Sequence, residues 1–276
     1  MIFQIRLGDL ILGIKDLEPP VKGLGKPSVR TSSGNYSGKD GGWISGQFYS
    51  TRQIVITGSF TARSCALLEA KKQELLDALP IRTLIPMFVT TFTGKIYYAD
   101  VYFIDLQMDI EDNIYAPFQL TLLAPDPYLY DAGDGIDPDS GYITQTIYKL
   151  TGGGYVLPYI LPVIWETGST PTSVNNTSDI YIYPEITFTG KFTNPIITNN
   201  TTGQFIQIGV TTTVGDVIVI DMKNRTVTLN GGSILPYKTG SWWGLQPDIN
   251  MIQFTTGSGG DDCCAQLKYR IAYEGI

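Results

Sequence analysis

The sequence predicts a mainly β chain of two domains: a sheet-rich α+β domain with a single helix, then a β-sandwich. Three observations predict it. Apolar and polar residues alternate through many short stretches, the period of half-buried strands. Only residues 62–79 carry a helical spacing of leucines. And 276 residues are long for one core, with a small, acidic, turn-forming stretch at 131–140 to divide them. Domains are therefore expected at 1–130 and 141–276, joined by a linker at 131–140.

The division is sharpest around Tyr115 to Asp131. Phe118, Leu120 and Leu122 fall on one strand face, with Gln119 and Thr121 on the other. Pro125 and Pro127 then flank Asp126, and neither can donate to a ladder, so pairing is expected to stop there. Upstream, residues 2–14 read as a first strand with a turn or bulge at Gly8 and Asp9. Residues 18–46 are punctuated by Pro19, Pro20, Gly23, Gly25, Pro27, Gly34, Gly38, Gly41 and Gly42. So long an irregular segment reads either as a mobile surface loop or as an arm that orders against a neighbouring subunit. Its candidate contact residues are Lys22, Gly25, Pro27, Arg30, Tyr36 and Lys39.

Trp43 to Phe48 and Gln53 to Phe60 read as strands, the second with Ile54, Ile56 and Phe60 on one face. In the helix at 62–79, Leu68, Leu75 and Leu79 recur at i, i+7 and i+11, with Cys65 and Leu76 beside them and Lys71, Lys72 and Glu74 opposite; Pro80 stops it. Cys65 reads as a small core residue. A hairpin is expected around Thr93-Gly94, and a turn at 111–113. The second half shows no helical pattern. Residues 180–188 alternate, 216–221 and 226–230 form a hairpin, and Asn230-Gly231 supplies another turn. Many short strands at such spacing mean a sandwich.

Composition narrows the chemistry. There are no histidines, which removes the commonest general base and the commonest metal ligand. Three cysteines, Cys65, Cys263 and Cys264, give neither a disulfide framework nor a zinc spacing. A net charge of −7 argues against affinity for nucleic acid, though not against a passage through which it slides. The most apolar run, residues 155–165, is about half of the roughly 20 residues that a membrane span needs. Arg6 and Asp9 are wrong for a signal peptide, so synthesis in the cytosol is expected.

Asp126, Asp131, Asp134, Asp137 and Asp139 cluster in the turn-rich seam. They read as a solvated linker, a calcium-binding turn off the EF-hand spacing, or a catalytic pair. Asp261 and Asp262 read as a charged turn, and residues 152–154 as a flexible one. No nucleophile elbow or phosphate loop is present. Trp242 and Trp243 are neighbours, so one can be buried while the other faces out as an interface anchor or a sugar platform. No catalytic residue, metal site or cofactor is expected.

Several segments of the second half follow a recognisable order: Asn194-Pro195, then Gly215 to Asp221, Val227 to Gly231, Trp243 to Ile252, and Lys268-Tyr269-Arg270. With a strand running into Ala124-Pro125-Asp126-Pro127-Tyr128, this order resembles the distal tail proteins of siphophages over nearly the whole chain. That family often carries Leu-x-Pro-Gly-x-Asn-x-Ile; here Asp248 stands in place of the glycine, and Asp also tolerates a left-handed turn. The resemblance implies a galectin-like second domain. It also implies a hexameric ring formed by the first domain, with an arm contacting the next subunit and a channel for DNA. The ring would join the tail tube to a tail-associated lysin or hub protein, and the second domain would dock receptor-binding parts. A carbohydrate-binding module for host glycans is the alternative.

Overall fold

The computed structural model describes residues 2–108, 114–149, 171–259 and 263–276. The expected turn at 111–113, the apolar run at 155–165, the glycines at 152–154 and the pair Asp261-Asp262 lie outside the described residues. The chain forms two compact units, Met1–Gly141 with Ala272–Ile276, and Tyr142–Ile271.

The first unit is built on one sheet. Its strands are β1 (Ile2–Leu7), β2 (Leu10–Gly13), β5 (Arg52–Thr61), β6 (Ile85–Thr91), β7 (Ile96–Met108), β8 (Tyr115–Ala124) and β9 (Leu129–Asp131), while β3 (Val29–Asn35) and β4 (Gly42–Tyr49) form a separate ribbon. The sheet runs β2-β1-β6-β7-β8-β5. The alternation read in β5 and β8 is the packing: Ile54, Ile56, Phe60, Phe118, Leu120 and Leu122 are all buried. β5 and β8 pair over their full ten residues, from Arg52↔Ala124 to Thr61↔Tyr115. β7 is long because it serves two sets of neighbours, β6 and β9 through its first half and β8 through its second.

Helix α1 (Cys65–Asp77) is capped by Ser64, whose hydroxyl accepts from the Leu67 amide. It buries Leu68 and Leu75, and Leu79 just beyond it, as the spacing predicts. Its other leucines differ from expectation. Leu76 is exposed, and so is Cys65, which is not a core residue. The physical reason is the spacing itself: a ridge at i, i+7 and i+11 is narrower than a full apolar face, and the first turn, residues 64–67, is exposed throughout.

β8 ends at Ala124, at the first of the two prolines. Residues 129–141 are nonetheless part of the first unit. β9 pairs with β7 and with the terminal strand Ala272–Tyr273, and Ala132 packs with Phe88 and Tyr98. The last five residues likewise belong here and not to the second unit.

The second unit is a sandwich. One sheet runs β10 (Tyr142–Tyr148), β22 (Cys264–Arg270), β12 (Glu185–Thr189), β16 (Val217–Asp221), β17 (Thr226–Leu229), β18 (Gly232–Ser233). The other runs β11 (Thr172–Asn176), β20 (Asp248–Thr255), β14 (Ile196–Asn199), β15 (Gln204–Ile208), β19 (Lys238–Gly240). Short strands β13 (Phe192–Thr193) and β21 (Ser258–Gly259) pair beside them. Phe188 of the first sheet stacks on Phe254 of the second at 5.2 Å between ring centroids, so the core lies between the two. Alternation from residue 180 becomes a ladder strand only at Glu185; Ile182 instead bridges to Leu245. Asn230 (φ 49°) and Gly231 (φ 84°) make the turn that their dipeptide predicts.

Candidate functional site

Where the sequence predicts an arm, the structure has a root and a ribbon. The root runs along the outer edge of β5. Backbone bonds join Glu18 to Thr57, and Lys22 and Val55 exchange a pair, so this edge of the sheet is closed. Leu17 and Leu24 are buried here, and Pro27 with them. At Gly23 the φ is 88° and a Cβ would stand 1.9 Å from the Gln53 carbonyl oxygen, so only glycine fits.

The root is held by Arg52, the first residue of β5, which is 2% exposed. Its Nη1 donates to the carbonyls of Gly23 (2.7 Å) and Gly25 (2.6 Å), its Nε to Pro127 (2.7 Å) and its Nη2 to Glu274 (2.5 Å). One guanidinium therefore joins three chain segments to β5. Burial lowers its pKa, offset by the Asp126 carboxylate. A second tie lies beside it. The Glu274 carboxylate takes a 2.7 Å ion pair from Lys26 and a 2.6 Å hydrogen bond from the Tyr49 hydroxyl. Lys26 and then Tyr49 hold the Glu274 carboxyl below its usual value, and Glu274 in turn raises both partners. The Ile276 amide donates to the Leu24 carbonyl. The end of the chain thus fastens the start of the arm.

Beyond the root, β3 and β4 pair from Val29↔Tyr49 to Asn35↔Gly42, closed at the base by Ser50 donating to the Ser28 carbonyl. One face carries Arg30, Phe48 and Trp43, with Trp43 lying on Gly34 and the Arg30 guanidinium 5.8 Å from the Phe48 ring centre. The other carries Val29 and Ile44. Lys39 caps the Tyr36 ring at the tip. Val29, Tyr36, Trp43, Ile44 and Phe48 are 43–67% exposed. A two-stranded ribbon with apolar side chains on both faces has no core of its own and is marginal in water. Of the six predicted arm residues, Lys22, Gly25 and Pro27 belong to the root and Arg30, Tyr36 and Lys39 to the ribbon. The sequence reading missed Arg52 and Glu274. It also ended the arm at 46, short of Phe48. Alternation in 43–48 was the only signal for the ribbon's second strand.

The acidic corner is occupied with its own backbone. Asp126, Asp131, Asp134 and Asp137 each accept from the amide two residues on. The Ile136 amide, then the Ser140 hydroxyl, lower the Asp134 pKa. Among the described residues no group of three or more His, Cys, Asp or Glu is placed to hold a metal ion. Among the described residues no disulfide joins Cys65, Cys263 or Cys264.

In the second unit Trp243 is 1% exposed and Trp242 is half-buried, its ring covered by the Lys238 ammonium at 4.6 Å. The two sit in the connection between β19 and β20 and not in a strand. The segment that follows is fixed by buried amides. Asn250 donates to the carbonyls of Gln246 and Asp248 and accepts from the Gln246 amide and from Asn199, while Asn176 donates to Leu245. Asp248 has φ 71°, the left-handed turn expected where the pattern has glycine.

Residues 177–273 match the family model described as siphovirus-type tail component, C-terminal domain. No curated protein matches the sequence. Among solved structures, the chain is similar to the Dit protein of phage SPP1, described as a paradigm of the hub adsorption apparatus in phages infecting Gram-positive bacteria. The TM-score is 0.70 at 15% identity, over 99% of this chain and 100% of the other. A chain of the phage P2 baseplate, solved in its activated conformation with Ca, aligns with a TM-score of 0.50 at 13% identity over the whole of both chains. Residues 177–273 are thus similar to the siphovirus-type tail component C-terminal domain, and the chain as a whole has the fold of the SPP1 Dit structure.

Proposed function

We propose that the chain is a structural component of a siphophage tail tip. Six copies close head to tail into a ring through the first unit, each laying its ribbon on the next. The ring joins the tail tube to the lysin or hub protein and leaves a hole for DNA, and the second unit offers each copy's outward docking platform. It is made in the host cytoplasm and resides at the virion tail tip. The mechanism is geometric and involves no turnover. A net charge of −7 suits a lumen through which DNA slides without being held.

One observation carries the reading. A Dit fold extends a ribbon whose Trp43, Ile44 and Phe48 stand in water, while one buried arginine fastens its root with two bonds and ties it to the Pro127 corner and the terminal tail with two more. An apolar ribbon held at its base is built to be covered by another surface. The test is mass photometry of the purified protein and of a variant with residues 29–49 replaced by a two-glycine turn between Ser28 and Ser50. The intact protein forms particles of six-fold mass, and the variant remains a folded monomer. Rings of the variant would exclude the ribbon as the ring contact.

A further inference from the structure

We infer that the surface receiving the ribbon is the groove between α1 and the β1–β2 turn of the neighbouring copy. This rests on the ring reading and adds the acceptor to it. The groove has a volume of about 710 Å³. Its lining includes the buried Leu10 and Ile85, the exposed Leu84, and the acidic residues Asp9, Glu74 and Asp77. No lysine or arginine lines it. The ion pairs seen among the described residues use none of these three carboxylates.

The ribbon offers the complement. Trp43 and Phe48 share a face with Arg30, and Lys39 stands at the tip. Arg30 and Lys39 lie over aromatic rings and enter none of those ion pairs. Residues 29–49 contain these two cations against Asp40 alone. In a chain of net charge −7, a cationic aromatic strip and an acidic apolar groove whose carboxylates enter none of those ion pairs are surfaces of matching chemistry. The helix beside the groove is itself incompletely covered. Leu76, on the last turn of α1 between the lining residues Glu74 and Asp77, is 52% exposed, and Ile81, just past it, is 71% exposed. The occupant is therefore a second copy of this chain, its aromatic face on the apolar lining and its cations on the carboxylates.

Charge reversal and cross-linking test this together. Glu74→Lys with Asp77→Lys, and separately Arg30→Glu with Lys39→Glu, are each expected to lower the ring population on the order of tenfold, and the quadruple variant to restore it. All four residues are exposed, so the melting temperature of each variant checks that it is folded. In a Cys65→Ser background, Ser45→Cys with Gln73→Cys is expected to give a ladder of covalent oligomers with a short thiol cross-linker. Ser45 lies on the face of Trp43, and Gln73 lines the groove. Wild-type rings that persist after groove reversal, with no ladder, overturn the groove while leaving the ring reading intact. Rings that survive deletion of the ribbon overturn this inference and exclude the ribbon as the ring contact, and a wild type that makes no rings overturns the ring reading and this inference with it.

Discussion

Replacing Arg52 by methionine keeps the aliphatic stem and removes a guanidinium that makes four hydrogen bonds of 2.5–2.7 Å to backbone carbonyls. Each charge-assisted bond is worth about 1.5–3 kcal/mol against an apolar surround. Much of that is offset in the native protein by the desolvation of a side chain only 2% exposed, the same burial that lowers its pKa. The loss expected is therefore that of removing one partner from a buried polar cluster, about 3–5 kcal/mol, a large share of the stability of an ordinary domain. Four carbonyls from the root, the Pro127 corner and the terminal tail are left without their donor. The assay is urea unfolding followed by tryptophan fluorescence, with limited proteolysis of the native protein. The transition of the first unit falls to lower urea, and cleavage between Gly23 and Ser50 accelerates. Arg52→Lys keeps the charge but has no planar fork, and recovers less than half of the loss. A Met variant within about 1 kcal/mol of wild type, with unchanged cleavage, would refute the assignment of Arg52 as the fastener of the arm.

Two further outcomes follow from single residues. Asp248 sits at φ 71° with an exposed side chain, so Asp248→Gly relieves backbone strain and raises stability by about 0.5–1 kcal/mol, whereas Asp248→Val lowers it; thermal melts of the second unit decide. The Glu274 carboxyl is held below its ordinary value of 4.5 by Lys26 and Tyr49, so its contribution is complete above that value and is lost as pH falls through the lower, folded one. Glu274→Gln should lower the melting temperature at about pH 6, by an amount that shrinks as pH falls further below 4.5; an effect that does not change with pH would show that the ionised tie contributes nothing.

The sequence by itself determined what is local and periodic. Ile54, Ile56 and Phe60 had to share a face because strand side chains alternate, and the Leu68, Leu75 and Leu79 ridge had to be helical. Asn230-Gly231 had to turn, and the order of motifs from Asn194 to Arg270 sufficed for the family resemblance. Tertiary structure alone decided the rest, because the partners are remote and no short-range rule connects them. Val29 to Asn35, with serine, threonine and glycine where alternation would need apolar residues, carries no sign that it pairs. Cys65 looked buried by spacing, yet the first turn of the helix is exposed. Arg52 reads as an ordinary polar start to a strand. Its acceptors lie 27, 29, 75 and 222 residues away, and only folding brings those carbonyls to one guanidinium and returns the last five residues to the first unit.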